Sequence, residues 1–345
     1  MRLTSVSRQG HSHGLVSILL PAHNAGRWLG ETLDSVVAQS WPRTEVIVVD
    51  DGSTDNTLTV AAGYSDRGVR VIAQPNRGAA AARNAALNVA RGSYIQFLDA
   101  DDLLHPEKLA RQMRSVGGGF ESQTLLTSAW GRFFERPDRA SFAPDPLWQD
   151  LSPVDWLVTK FTHNRFMFPA SWLVSRRLAD AAGPWNESLS LDDDGEYMSR
   201  LVAASRHVRF VAQARSYYRI GNVNSLSSQK SDRAVRSGFR SMCLSIDHLL
   251  ALEDSERTRR ACVRLLQDNL HQYYPEYTDL VADTLTLANH LGDDLMSPAE
   301  PRRFRVFRQV FGWKRARQVR GSLNLWKLRI KRTIESLPQS GARSD

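Results

Sequence analysis

Residues 45–57 read EVIVVDDGSTDNT, an apolar run from Glu45 to Val49 that ends on Asp50 and Asp51 and continues through Gly52, Ser53, Thr54 and Asp55. An apolar run without polar alternation reads as a strand covered on both faces, as in a parallel sheet. The Gly-Ser-Thr-Asp stretch after it reads as a turn that also caps the next helix. Upstream, Val16 to Leu20 is a second run of this kind, stopped by Pro21. Between the two, Leu29, Leu33, Val36 and Val37 recur at helical spacing, with Asn24 ahead of them as the cap. Downstream, Val69 to Ala73 gives a third strand, Ala79 to Ala90 an alanine-rich helix and Ser93 to Leu98 a fourth strand. This βαβαβαβ order predicts an open, mostly parallel, Rossmann-like α/β sheet.

Ligands bind such sheets where the strands end at their carboxyl edge, and the acids of this chain gather at those ends. Asp50 and Asp51 close the second strand, and Asp99, Ala100, Asp101 and Asp102 follow the fourth. The first group can serve as an ordinary turn and helix cap, and the second as a solvated loop. Three carboxylates in four residues repel one another, however, and holding them after a buried strand makes most sense around a cation. No GxGxxG follows the first strand and no GxxxxGK[ST] occurs anywhere, which argues against a dinucleotide oxidoreductase and a P-loop enzyme. An acidic loop reaches a pyrophosphate only through a metal, and oxygen-only ligands suit Mg2+ or Mn2+.

Four segments in order, VSILLPAHNAGRWLGETLDSVVAQSW (Val16 to Trp41), EVIVVDDGSTDNT (Glu45 to Thr57), NRGAAAARNAAL (Asn76 to Leu87) and GSYIQFLDADD (Gly92 to Asp102), resemble the donor half of family 2 inverting glycosyltransferases, which have the GT-A fold. The likeness runs from about Leu15 to Arg219. It implies a nucleotide-diphosphate sugar donor, with UDP favoured, and a divalent metal, Mn2+ or Mg2+. Residue by residue it implies that Pro21 and His23, with Asn24 beside them, line the nucleobase pocket, that Asp51, after Asp50, reads the base, and that Arg83 lies near base and diphosphate. Asp99 and Asp101, flanking Ala100, match the DxD motif, with Asp99 nearer the ribose and Asp101 on the metal. Where His23 stands, the family usually carries an aliphatic or aromatic residue.

An inverting transfer also needs a carboxylate to take the acceptor's proton. WNESLSLDDDGEYMSRL, residues 185–201, resembles the family segment FDE…EDxxLxxRL, whose ED pair falls on Asp193 and Asp194 when Asn186, Glu187 and Arg200, Leu201 are matched. Asp194 is then the expected base. Asp replaces the usual Glu and Gly195 the usual aromatic. Otherwise Asp192 to Asp194 simply favour the positive end of a helix. Trp185 is open to two uses, stacking on a sugar or packing in the core. Tyr217, Tyr218 and Arg219, with Ser225 and Ser227, resemble a closing loop in which an arginine and hydroxyls hold the diphosphate.

The 345 residues are 42% hydrophobic and 24% charged, the balance of a folded globular protein. Cys243 and Cys262 have no CxxC or CxxH context, so a reducing compartment fits better than a disulfide framework. No apolar run approaches the roughly 20 residues that span a bilayer, and Met1 to His13 is polar, so a cytoplasmic location is expected. Residues 1–14 read as a flexible N-terminus, 15–229 as the GT-A domain and 230–345 as an α-helical, basic extension. From Pro301 onward there are 13 Lys and Arg against two acids, so the basic excess belongs to the tail. There Phe304, Phe307, Val310 and Phe311, then Leu323, Trp326, Ile330, Ile334 and Leu337, recur at helical spacing among the cations. Such faces either pack on the catalytic domain or a second subunit of a homo-oligomer, or lie at the inner face of an anionic membrane. A glycan or lipid-linked acceptor for cell-surface polysaccharide or glycolipid synthesis fits the second case. No nucleic-acid motif accompanies the charge. The rival readings are a nucleotidyltransferase, whose glycine-rich first loop PAHNAGRW does not supply, and a degenerate protein that binds nucleotide sugar without turnover.

Overall fold

A computed structural model describes residues 12–116, 123–222, 231–273 and 276–296. Four parallel strands, β1 (Ser12–Ala22), β2 (Thr44–Asp51), β3 (Val69–Gln74) and β4 (Gly92–Phe97), form the main sheet in the order β3-β2-β1-β4, with helices α1 (Leu29–Val37), α2 (Thr57–Ala62) and α3 (Ala79–Val89) as crossovers. The apolar runs of β1, β2 and β4 are buried on two faces, as the sequence predicts. Leu19, Ile47, Val49, Ile95 and Phe97 point into one core with the alanines of α3, while Val16, Ile18, Leu20, Val46, Val48 and Tyr94 point into another with Leu29, Leu33 and Val36 of α1.

After β4 the chain forms β5 (Leu103–Leu104), α4 (Lys108–Ser115), β6 (Thr124–Phe133), α5 (Pro153–Thr162), β7 (Val174–Ser175), α6 (Arg176–Ala182), α7 (Asp193–Ala204) and β8 (His207–Arg219). β7 adds antiparallel to β4 at the edge of the main sheet. β5, β8 and β6 make a second, three-stranded sheet, in which Leu103 faces Tyr217 and Leu104 faces Ser216. That pairing returns the end of β8 to the acidic loop after β4. The bridge between Leu126 and Leu173 ties the two sheets together.

α8 (Asp232–Leu252), α9 (Glu256–Tyr273) and α10 (Thr278–His290) supply the helical region expected after residue 230. They share a core with the sheet: Met242, Ile246, Leu249, Cys262, Leu266 and Leu291 belong to the cluster that holds Leu19 and Phe97. Both cysteines are free thiols. No helix among the described residues is long and apolar enough to cross a membrane. β1 begins at Ser12, inside the stretch expected to be flexible. The basic tail from Pro301 onward, and Ser225 and Ser227, lie outside the described residues.

Two local expectations change. Asn24 does not cap α1, whose N-cap is Trp28 without a side-chain hydrogen bond. With φ at 49°, Asn24 instead accepts from the Thr54 N–H (2.8 Å) and ties the first loop to the DDGS turn. At the next helix the N-cap position is Asn56, which makes no side-chain capping bond, and Asp55 just ahead of it accepts from the Thr57 N–H at 2.9 Å and the Gly26 N–H at 3.1 Å. Gly52 is needed there: its φ is +70°, and a Cβ would meet the Asn76 backbone nitrogen at 2.6 Å.

Candidate active site

The carboxyl ends of β1, β2 and β4 bring Pro21, Asp50 and Asp99 to one edge of the main sheet. Pro21 pairs in register with Val49, and Ala22 with Asp50. Asp51 is buried and organises the loop before α3: its Oδ1 accepts from Gln74 Nε2 (2.7 Å) and the Arg77 N–H (2.9 Å), and its Oδ2 from the Gly78 N–H (2.8 Å). Asp50 is also buried, with Oδ1 lacking a hydrogen-bond partner. His23 is exposed beside them, its Nδ1 2.8 Å from the Asp51 carbonyl and its Nε2 3.2 Å from Asn76 Nδ2.

The acidic loop after β4 divides by direction. Asp99 is partly exposed and accepts from Arg83 at 2.8 Å. Ala100 is buried, and its carbonyl accepts from the Thr32 hydroxyl at 3.0 Å, so α1 holds the loop from below. Asp101 is half-buried and accepts from Asn222 Nδ2 at 2.8 Å. Asp102 faces inward, where one oxygen accepts from the Arg219 N–H (2.9 Å) and the other has no partner. Burial, with Asp99 adding to it, lifts the Asp101 pKa; burial, then Asp101 and Asp99, lifts that of Asp102 further. Crowded oxygen acids whose negative charge is disfavoured by burial and by one another are what a divalent cation relieves, so this donor set fits Mg2+ or Mn2+. Among the described residues no group of three or more His, Cys, Asp or Glu side chains could hold an ion unaided. Any metal here would share its coordination with a bound ligand, as Mg2+ does with phosphates.

Arg219 differs from expectation. It is buried between Trp28 and Phe133, with its guanidinium carbon 4.3 and 4.4 Å from their ring centres. It donates to the Asp101 carbonyl (2.8 Å), the Phe134 carbonyl (3.0 Å) and Glu31 (2.5 Å). With its donors engaged in this way, it buttresses the acidic loop and is not placed to hold a diphosphate. The sequence did not mark Glu31, Trp28 or Asn222 as parts of this buttress.

The three acids at the start of α7 take separate paths. Asp192 sits at the N-cap position in the left-handed region (φ 60°) and caps nothing; its carboxylate accepts from the Ser241 hydroxyl of α8 at 2.6 Å. That carboxylate lies where a Cβ on Gly195 would stand, 2.4 Å away, so Asp192 itself excludes a side chain at 195. Asp193 is buried and accepts from Arg83 at 2.6 Å. Asp194 is half-buried, and the Gly195 N–H is its only hydrogen-bond donor among the described residues. Burial first, then Asp192, Asp193 and Asp99, against the pull of Arg83, push the Asp194 pKa up to about 8.

Arg83 thus spans the two acidic groups, with one guanidinium nitrogen on Asp99 and another on Asp193. Burial opposes its charge, but Asp193 and Asp99 outweigh that and hold its pKa above the ordinary value. Its guanidinium carbon lies 4.4 Å from the Trp185 ring centre, and the neighbouring Asn84 grips Trp185 through both N–H (2.8 Å) and C=O (3.0 Å). Trp185 is buried and stacks on Tyr197 at 4.1 Å. Of its two expected uses, the structure realises packing.

Two further groups stand near these acids: Tyr218, which the sequence marked as part of a closing loop, and Lys160, which it did not. Tyr218 has its pKa raised by burial and then by Asp102, Asp101, Asp99 and Asp194 together, so its hydroxyl lies in the field of both acidic groups. Lys160, at the end of α5, is half-buried with its pKa lowered by burial, against the opposing pull of Asp192 and Asp194.

Residues 17–179 match the family model described as Glycosyl transferase family 2. A glycosyltransferase of Haemophilus influenzae, itself uncharacterised, is 29% identical over 64% of this chain and 85% of its own length. Other curated relatives match over less, 28% of the length of a glycosyltransferase of Escherichia coli and 16% of that of the chondroitin synthase of Pasteurella multocida. The crystal structure of S. aureus TarS 1-349 in complex with UDP-GlcNAc superposes with a TM-score of 0.66 at 18% identity, covering 79% of this chain and 81% of that one. The mannosyltransferase PcManGT from Pyrobaculum calidifontis, in complex with GDP-Man and Mn2+, gives 0.52 at 16% identity over 97% and 92% of the two chains. Both likenesses show a shared GT-A fold.

Proposed function

From the match of residues 17–179 to the model of glycosyl transferase family 2, we propose that the chain is such a transferase and moves a sugar from a nucleotide-diphosphate donor, UDP-sugar in the first instance, to an acceptor hydroxyl with inversion. The observation that carries this reading is Arg83. By holding Asp99 and Asp193 at once, it keeps the acid after β4 and an acid at the start of α7 within reach of one guanidinium, which supports their sharing one site. Inverting transfer needs that arrangement, with the leaving group on one side of the anomeric carbon and a base on the other.

In this mechanism His23, Pro21 and Asp51 border the nucleobase and Asp99 the ribose. Asp101 would hold a Mg2+ or Mn2+ ion, which stabilises negative charge on a leaving diphosphate. Asp194 takes the acceptor hydroxyl's proton while that oxygen forms its bond to the anomeric carbon and the diphosphate departs with the electrons of the broken C–O bond. Asp193 is committed to Arg83 and acts as its anchor. The pull of Arg83 and Lys160 on Asp194 favours its ionised form.

Calorimetry of UDP with Mg2+ or Mn2+ tests the donor side, where Asp101→Ala should abolish the metal-dependent part of the affinity. Asp194→Asn should leave UDP binding intact and reduce transfer by at least about 100-fold, the usual scale of general base catalysis. Unaltered transfer by Asp194→Asn would remove it from the mechanism. The same variant tests the degenerate alternative, since a protein that only binds nucleotide sugar has no transfer to lose.

A further inference from the structure

Among the described residues, Phe166 is the one aromatic side chain in the set of exposed large apolar groups, 40% accessible where most rings of this chain are buried. It stands against Trp130 at 5.8 Å, nearly edge to face, and against Tyr218 at 5.4 Å. Phe168 backs both partners, 5.5 Å from Trp130 and 5.1 Å from Tyr218. Tyr218 directly precedes Arg219, whose N–H binds Asp102 at 2.9 Å and whose guanidinium binds the Asp101 carbonyl at 2.8 Å, so the aromatic cluster is tied to the acidic loop, and the Tyr218 hydroxyl lies in the field of Asp101, Asp99 and Asp194. The exposed ring is therefore one side chain away from the strand end that holds the acidic loop.

The segment that carries Phe166 is built to hold it there. α5 ends at Thr162, Asn164 turns the chain in the left-handed region at φ 44°, and the Arg165 N–H closes the turn on the Lys160 carbonyl at 2.9 Å. One short stretch thus presents Lys160 toward Asp192 and Asp194 at one end and Phe166 at the other. A ring left in water on a fixed turn, beside catalytic acids, is poised for a ligand with an apolar face and a polar rim.

Resting on the transferase reading above, we propose that Phe166, seated on Trp130 and Tyr218, is the stacking platform for a pyranose ring of the acceptor, which makes the acceptor a saccharide and not an acyclic alcohol. A pyranose offers one face of C–H groups to an aromatic plane and keeps its hydroxyls at the edge, where one can reach Asp194. An acyclic polyol has no such face.

Saturation-transfer NMR on the full chain with UDP and Mg2+ tests this. The probes are the methyl glycosides of glucose, galactose, mannose, N-acetylglucosamine and glucuronic acid, with sorbitol as the acyclic comparator. At least one glycoside should saturate through its ring C–H protons. Phe166→Ala should weaken that glycoside's affinity by about tenfold, on the scale of one lost aromatic contact, and Phe166→Trp should restore it. UDP affinity should stay within about twofold of wild type in both variants, since Phe166 touches only the acceptor side. Saturation of no glycoside, equal binding of sorbitol, or unchanged glycoside affinity in Phe166→Ala overturns the platform while leaving the donor reading standing. Failure of the wild-type chain to bind UDP overturns the donor reading itself, and the platform with it.

Discussion

Asp194 carries the strongest conflict in the cleft. Burial, Asp192, Asp193 and Asp99 all raise its pKa, to about 8, against Arg83 and Lys160 on the other side, with the Tyr218 hydroxyl also in its field. If Asp194 is the base proposed above, it works only when ionised, so kcat/KM should climb with pH through a limb near that value and level off above it. Lys160→Met removes one of the two cations favouring ionisation and should move the limb upward by about half a unit or more, with UDP affinity unchanged. A limb that stays in place would show that the amine does not act on the base. The sign for stability runs the other way from function. An acid whose folded pKa is raised contributes stability at low pH that is lost as pH rises through the folded value. Asp194→Asn, which cannot ionise, should therefore melt at least about 3 °C above wild type at pH 8.5, with the gap closing toward pH 5. Scanning calorimetry at the two pH values decides it, and a variant that melts lower at pH 8.5 would contradict the burial of this charge.

The strands β1 to β4 were legible because each is an apolar run ended by a proline, an acid pair or a turn, and the runs of β1, β2 and β4 are in fact buried on both faces, while β3 at the sheet edge is only partly covered. The acids of the site were legible for the same reason, standing where those runs stop. The second sheet was not. β6 reads TLLTSAWGRF and β8 HVRFVAQARSYYR, mixed patterns with no clean period, and their pairing joins Thr124 to His207 across more than 80 residues. Nothing local announces that β8 returns to β5, yet this return delivers Tyr218 and Arg219 to the acidic loop. The resemblance that placed Arg219 at the diphosphate follows its position in the chain and misses its burial. Its guanidinium joins α1, through Glu31, to the Asp101 and Phe134 carbonyls. Arg219→Met should lower stability by roughly 3 kcal/mol, at the lower end for a broken buried pair because Glu31 keeps contact with solvent. Arg219→Lys keeps the charge but loses the planar fork, and it should recover less than half of that loss. Urea denaturation reads both, and a midpoint unmoved in Arg219→Met would mean the loop holds without it.

At the scale of the molecule, the sequence marks a change of character near residue 230 that the packing does not respect. Helices read from periodicity look separable because periodicity reports a buried face without saying what covers it. Here α8 lies against α7: Ser241 bonds to both the carbonyl and the carboxylate of Asp192, Ser237 accepts from the N–H groups of Ser190 and Leu191, and His248 reaches Glu196 at 3.1 Å. The segment that presents Asp194 is thus held from the C-terminal side. Cutting the chain after Asn222 would strip Met242, Ile246, Leu249, Cys262 and Leu266 from the shared core. Each lost apolar side chain is worth about 1.5–3 kcal/mol of burial, so five together are comparable to the whole of the roughly 5–15 kcal/mol by which domains are stable. Such a chain should show no cooperative melt by circular dichroism. A chain cut before Arg302 keeps every described helix, and its Tm should stay within about 2 °C of full length. If the amphipathic basic tail meets an anionic membrane, that shorter chain alone should lose sedimentation with phosphatidylserine vesicles while keeping its affinity for UDP. Equal sedimentation of both chains would assign the tail to packing. A cooperative melt for the chain cut after Asn222 would show that the sheet stands without its helical half.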